Sequence, residues 1–393
     1  MIRSRIRTVI RCTSARVDLD ALASNFRAIR DYLGAEASLN RTAGAGTPRA
    51  PGIIAVVKAN AYGHGARPVA AALEQAGATM LAVADIEEGV DLRQSGIQIP
   101  ILVFGALSVS DVSGVFEYGL TPTISSPAAG AALEAGAAAR GTTLSYHLKL
   151  DTGLSRLGFR HDNVRRTLPT LLASPHLRLD AVYTHFGTAD DPESPLFQDQ
   201  RRRFESVTRV LDDLGAGPRL RHAANSAALV RDSRTWYDFV RPGLLLYGLI
   251  PPPLHTTLAL EPVMSLTSRV VAVKGVRVGE TVGYGARFTA ARPTTLAVVP
   301  AGYADGLDRR LEGRGALLVR GRRAPIVGAV SMDMLTVDVT EIEDVRPGDE
   351  VTFLGSAGRE AAQTIDAREM ASWIDTIPYE VLCRLGARVQ RQY

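Results

Sequence analysis

Five groups of polar residues stand where an apolar run gives way to a loop, and each could take part in chemistry. They are Lys58 after Ile53-Ile54-Ala55-Val56-Val57, the run Lys149-Leu150-Asp151-Thr152-Gly153, His185, the run His222-Ala223-Ala224-Asn225-Ser226, and Arg241-Pro242-Gly243. A lysine at the end of a buried strand can lose its proton to desolvation, and the free amine is then a nucleophile toward a carbonyl. Each group also has a plainer explanation. Lysines snorkel at strand ends, a single strand-end histidine is commonly structural, Asp151 suits a turn cap, and Arg156 alone reads as a surface charge. Five such groups on one rim are harder to explain that way. The seven histidines show no H-x-x-x-H or H-E-x-x-H spacing and no companion acidic cluster, so no metal centre is expected. Gly153-Leu154-Ser155-Arg156-Leu157 lacks the second glycine of G-x-S-x-G, which argues against a serine hydrolase.

The rim follows from the elements. Apolar, β-branched runs predict strands at 55–59, 80–84, 99–104, 120–124, 144–150, 179–186, 219–224 and 239–241. Helical spacing separates most of them, at 87–94, 109–118, 128–140, 164–173 and 196–214. Eight strand and helix units in about 200 residues favour an α/β fold with an N-terminal (β/α)8 TIM-type barrel, whose functional groups gather at strand C-terminal ends. No G-x-G-x-x-G follows a strand, which speaks against a dinucleotide-binding sheet. A strand at 15–19 and a helix at 20–32 precede the first barrel strand, and residues 37–52 are expected to form an exposed, mobile loop. The texture changes at Pro251-Pro252-Pro253. Short strands are expected beyond it at 270–278, 295–299, 316–319, 324–330, 334–339 and 350–354, with one late helix at 367–374. The expected division is a tail at 1–14, a barrel domain at 15–252 whose first strand could pack on the second domain, and a mainly β domain at 253–393.

Composition narrows the class further. The hydrophobic fraction of 46% and charged fraction of 22% are ordinary for a globular protein. The net charge of +4 is slight for 393 residues and its basic residues are scattered, so nucleic acid is not an expected partner. No apolar run is long enough to span a bilayer. Two cysteines, Cys12 and Cys383, suit a reducing cytoplasm, and the basic N-terminus lacks the apolar core of a signal peptide.

The string Val-Val-Lys-Ala-Asn-Ala-Tyr-Gly-His-Gly (56–65) resembles the pyridoxal-phosphate (PLP) lysine motif of the alanine racemases. Lys-Leu-Asp-Thr-Gly-Leu-Ser-Arg-Leu-Gly (149–158) resembles a second family segment. His185-Phe186, His222-Ala-Ala-Asn-Ser-Ala and Arg241-Pro-Gly-Leu-Leu-Leu-Tyr-Gly follow in the family's order. So do Val282-Gly-Tyr-Gly-Ala, Ala301-Gly-Tyr-Ala-Asp-Gly, Gly328-Ala-Val-Ser-Met-Asp and Ile377-Pro-Tyr-Glu, and the match runs from about Ala15 to the C-terminus.

The resemblance implies roles residue by residue. Lys58 would bind PLP covalently and act as one catalytic base, and Tyr284 of the partner subunit would be the other, across a head-to-tail homodimer. Two bases on opposite faces are what racemisation requires. A tyrosine with an ordinary pKa of about 10 needs help in that role, and Arg156 would supply it by hydrogen-bonding the phenolic oxygen. Arg241 would face the pyridine nitrogen, with His185 beside both. Tyr62, Asn225, Ser226, the backbone of Gly243 and Leu244, and Tyr379 would hold the cofactor, mostly at its phosphate. Met332 and Asp333 would lie near the substrate carboxylate, with Tyr303 at the entrance. Lys149 matches a lysine that some members carry as a carbamate. Ser331 stands where many members have cysteine. The implied activity is interconversion of L- and D-alanine, supplying D-alanine for peptidoglycan in the bacterial cytoplasm. The alternatives are racemisation of another amino acid such as serine, or a PLP carrier without turnover, against which the second domain argues.

Overall fold

The computed structural model of the chain describes residues 12–39, 50–107, 112–358 and 362–393. Most of the expected tail and loop, at 1–11 and 40–49, and the start of an expected helix, at 109–111, lie outside the described residues. The chain divides into two compact units. One comprises Leu19–Ala61 with Gly65–Glu261, and the other the residues up to Asp18 with Tyr62–His64 and Pro262–Tyr393.

The first unit is a closed barrel of eight parallel strands: β1 (Gly52–Val56), β2 (Met80–Val83), β3 (Ile101–Val103), β4 (Thr121–Ile124), β5 (Leu144–Asp151), β6 (Leu177–Tyr183), β7 (Leu220–Asn225) and β8 (Phe239–Arg241). Neighbours in sequence pair in order. The ring closes where β4 meets β5, with Thr123 opposite His147, and where β8 meets β1, with Phe239 opposite Gly52. The strands are largely buried on both faces, as parallel strands under a helical layer must be.

Helices at Ala66–Ala76, Ile86–Gln94, Pro127–Ala139 and Leu196–Asp213 cover the outside. Their starts are written locally. The Asp85 side chain accepts from Glu88 N, and the Ser126 hydroxyl from Ala129 N with Pro127 in the first turn. The Leu196–Asp213 helix buries Phe197, Phe204, Val207 and Leu211 along one stripe.

Three expectations change. The expected strand at 55–59 ends at Val56, so Lys58 lies in the turn after the strand. The helix expected at 164–173 is two turns, Val164–Thr167 and Pro169–Leu172, because Pro169 cannot continue the first. The first helix runs Leu19–Leu39 and takes in the start of the expected loop.

The second unit is a mixed sheet built mainly from antiparallel pairs. Ser14–Val17 pairs antiparallel with Met264–Arg269 and parallel with Gln390–Gln392. The strand expected at 270–278 is shorter, Ala272–Val276, and the strand before it, Met264–Arg269, is not among those expected; the chain changes partner between the two. Residues before the break pair with Glu350–Ala357, and those after it with Thr294–Val299. A helix at Pro378–Cys383 follows Ala367–Trp373 and is invisible to periodicity at six residues.

Candidate active site

The β5 strand alternates strictly. Tyr146, Leu148 and Leu150 occupy one set of positions, and His147 and Lys149 the other, with period two. The barrel therefore carries polar side chains inward from one strand, and β7 and β8 bring His222 and Arg241 to meet them. Arg241 is buried. Its guanidinium donates to His222 Nδ1 at 2.8 Å, to Thr184 O at 2.8 Å and to Ala223 O at 2.8 Å. Only the terminal nitrogens take part in these bonds, so they leave Nε to another acceptor.

Arginine can only donate, which fixes the proton positions beyond it. The His222 Nδ1 must accept, so its Nε2 carries the proton and donates to His147 Nδ1 at 3.0 Å. Neutral His147 then holds its own proton on Nε2, which is buried without a hydrogen-bond partner among the described residues. The Tyr183 ring stacks on His222 at 4.6 Å and 10°, and its hydroxyl meets Thr123 Oγ1 at 3.0 Å. The Lys149 Nζ lies over the same ring, 4.6 Å from its centre.

The buried charge in this cluster is of one sign. Among the described residues of the barrel unit, no Asp or Glu is buried. Burial first, then the Lys149, Arg241, Arg156 and Lys58 charges, hold the His185 imidazole far below its ordinary range, so it is neutral. Burial, then Arg241, His147 and Lys149, do the same to His222. Burial and the Arg241 charge pull His147 down to about 3. Lys149 is pushed well below the ordinary lysine range by burial and by Arg241 and Arg156, with Asp151 opposing. Arg241 comes down only to about 10, so it stays charged.

The segment after β5 is a built turn. Asp151 accepts from Gly153 N and Ser155 N, each at 3.0 Å, so its carboxylate caps the loop that carries Arg156. Gly158 closes that loop at φ 119°, and a Cβ there would lie 2.8 Å from Asp151 N. At β7, Asn225 caps the next helix, its Oδ1 accepting from Ala228 N at 2.9 Å. The Ser226 hydroxyl accepts from Gly243 N at 2.9 Å and from Leu245 N at 3.4 Å, and Leu244 opens the single turn Leu244–Tyr247.

Lys58 follows β1 at the start of a left-handed turn. Ala59, Asn60 and Ala61 have φ of 52°, 53° and 53°. Each such residue costs about 1–2 kcal/mol relative to the right-handed form, so the fold must hold the turn. Asn60 does part of this, its Oδ1 accepting from Ala66 N at 2.8 Å.

The other site candidates belong to the second unit. The Tyr62 ring is buried 5.9 Å from that of Tyr379, and burial pushes its hydroxyl pKa up. Arg391 donates to Gly63 O at 3.0 Å. Tyr303 N donates to Ser331 O at 3.0 Å and Ala304 N to Met332 O at 3.1 Å, which brings Tyr303, Met332 and Asp333 together. Arg388 joins Asp333 at 2.7 Å and buried Asp305 at 3.5 Å. Ser331 closes a tight turn, its hydroxyl donating to Met334 O at 2.7 Å. Tyr284 stands on a short turn after Gly283 with 77% of its surface exposed.

Sequence reading missed Thr123, His147, Tyr183, Thr184 and Gln200. Gln200 donates to His185 O at 3.0 Å and accepts from Gly187 N at 2.8 Å. For His147 the signal was present: it stands two residues before Lys149 in a strand of period two. Among the described residues, no group of three or more His, Cys, Asp or Glu is arranged to hold a metal ion, and no helix is long and apolar enough to cross a membrane.

A closed parallel barrel with its polar groups at the strand C-terminal ends, followed by a mainly β unit, defines a two-domain barrel enzyme. The family models for the alanine racemase N-terminal domain and C-terminal domain match residues 17–251 and 263–393. The chain is 40% identical to the alanine racemase of Symbiobacterium thermophilum over 98% of its own length and 97% of that protein. It is 41% identical to that of Carboxydothermus hydrogenoformans, over 96% and 98%. Among solved structures, the alanine racemase of Streptomyces lavendulae superposes with a TM-score of 0.89 at 35% identity, covering 98% of both chains. The Bacillus anthracis enzyme, solved with bound L-Ala-P, superposes at 0.86 and 34% identity, covering 98% of this chain and 95% of that one. The chain belongs to the alanine racemase family.

The neutral histidines make a pH prediction. His147 is protonated in the unfolded chain below its ordinary pKa of 6.5 but stays neutral in the fold down to about 3. Its contribution therefore holds above pH 6.5 and is lost as pH falls through that window. Each pH unit there should cost about 1.4 kcal/mol through this one group. Unfolding free energy measured against pH in His147→Gln should fall less steeply below pH 6.5, by about one proton. An unchanged slope would show that His147 is not held neutral.

Proposed function

We propose that the protein is a PLP-dependent alanine racemase, interconverting L- and D-alanine and supplying D-alanine for peptidoglycan in the cytoplasm. The observation that carries this reading is the concentration of cations on the rim, where no Asp or Glu among the described residues of the barrel unit is buried. Lys58, Lys149, Arg156 and Arg241 all act on His185 with the same sign, which suits a phosphorylated cofactor and a substrate carboxylate. The donor set fits PLP in kind. Lys58 supplies an amine, Arg241 a cation that keeps its proton, and Ser226 with Gly243 and Leu244 a hydroxyl beside backbone N–H groups. Asn225, Tyr62 and Tyr379 complete the proposed cofactor set.

PLP bound through an amine withdraws electrons from the substrate Cα and so makes its proton removable. Everything else falls to the protein. The Lys58 amine takes or returns the proton on one face of Cα, and the phenolic oxygen of Tyr284 of the partner subunit does so on the other. Arg156 holds that oxygen and favours its charged form. Arg241, kept charged, would offer the pyridine nitrogen of bound PLP a hydrogen bond rather than a proton, which would restrain electron withdrawal and favour proton return at Cα over side reactions. Met332 and Asp333 of the partner subunit border the substrate carboxylate, and Tyr303 narrows the approach. The exposure of Tyr284, Tyr303 and Met332 on the single chain supports a head-to-tail homodimer that covers them.

Lys149 is proposed to carry a carbamate. A buried, neutral amine attacks carbon dioxide, forming an N–C bond and releasing one proton, and the new anion offsets the Arg156 and Arg241 charges. Protein equilibrated with 13C-labelled bicarbonate should show one carbamate carbon resonance that is absent from Lys149→Ala. A spectrum without it would refute the modification.

A shared site predicts complementation. Lys58→Ala and Tyr284→Phe homodimers should each be nearly inactive, while a mixed population regains activity because one site of each heterodimer keeps both bases. Confirmed heterodimers without turnover would refute the shared site. Purified protein with PLP should also show a yellow band, lost on borohydride reduction and absent from Lys58→Ala, and no such band would remove the cofactor reading.

A further inference from the structure

The turn that carries Lys58 is held by a carboxylate from the next unit of the barrel. Glu88 lies in the first turn of the Ile86–Gln94 helix, after β2, with its backbone N–H fixed on Asp85 Oδ1 at 2.9 Å. Its Oε1 accepts from Ala59 N at 2.6 Å, and its Oε2 accepts from Ala84 N at 2.8 Å. One carboxylate thus joins the chain after β1 to the chain after β2 by two charge-assisted bonds. Ala59 directly follows Lys58 and is the first of four consecutive non-glycine residues in the left-handed region. The bond from Ala61 N to Val57 O at 2.8 Å closes the turn from within and the Asn60 bonds secure its far side, while Glu88 ties its Ala59 amide to the neighbouring loop.

We infer that Glu88 is a positioning residue: it fixes the Lys58 backbone by bridging Ala59 and Ala84, and so aims the lysine amine. This rests on the reading of Lys58 as the cofactor lysine and proton carrier. Glutamine in its place keeps the shape but turns one acceptor into an NH2 group, so one of the two backbone N–H groups then faces a donor.

The test compares the wild-type protein, Glu88→Gln and the neighbouring control Glu87→Gln, all loaded with PLP. Amide exchange over residues 57–62 and 82–86 should speed up by more than about five-fold in Glu88→Gln, and strands β6 and β7 should be unchanged. In the same variant kcat should fall about ten-fold while KM stays within about two-fold, as expected when a reacting group is misplaced and ground-state binding is kept. Glu87→Gln should match wild type in both. Should Glu88→Gln fail to fold, Glu88→Asp keeps the charge but is too short to reach both amides, and the same outcomes apply to it. Exchange that does not rise at 57–62 overturns the clamp. Exchange that rises while kcat is unchanged overturns the positioning role. Exchange that rises in a protein whose wild type takes up no PLP leaves the clamp standing and refutes the cofactor reading instead.

Discussion

The Arg241 guanidinium gives its terminal nitrogens to His222 and to two backbone carbonyls inside the barrel, and among the described residues of the barrel unit no buried carboxylate answers it. A buried cation without a counter-ion is costly unless hydrogen bonds and polarisable neighbours replace its water. The barrel interior supplies these: carbonyls from Thr184 and Ala223, the His222 ring nitrogen, and the Tyr183 ring 5.3 Å from the guanidinium carbon. The surroundings follow. His222 and His147 must be neutral and must carry their protons on Nε2. Lys149 and His185 cannot readily gain charge beside Arg241. The site is poised for an anionic ligand because the fold places its positive charges first and leaves their balance open.

The barrel and the second unit divide the work differently. The barrel fixes Lys58, Arg156, His185 and Arg241 at strand ends and in the loops that follow, and three of its loops are held by specific side chains. Asp151 caps one, Asn225 another, and Glu88 with Asn60 holds a third. The second unit leaves Tyr284, Tyr303 and Met332 exposed, as the proposed head-to-tail dimer requires.

Much of this was legible in the sequence. Runs such as Ile53–Val57 and 101–103 can do little but form buried strands, and even the three residues of β8 were readable because Arg241-Pro242-Gly243 ends them sharply. What escaped reading depends on contacts distant in sequence. A left-handed turn at Ala59–Ala61 cannot be inferred from alanine and asparagine, because Glu88, 29 residues on, helps impose it. The unread strand Met264–Arg269 and the break before Ala272 are set by a change of strand partner rather than by local propensity. The polar lining escaped for a different reason. Thr123, Tyr183 and Thr184 look ordinary until strand order brings them beside His222 and Arg241.

The most direct test of this account is the protonation state of the two histidines behind Arg241. Nitrogen NMR of protein labelled at its histidine rings, with His147→Gln and His222→Gln for assignment, reads both sites at neutral pH. Each ring should be neutral, with the proton on Nε2 and an unprotonated, hydrogen-bonded Nδ1. A doubly protonated ring, or a proton on the His222 Nδ1, would contradict it, because Arg241 would then lack the acceptor on which the arrangement depends.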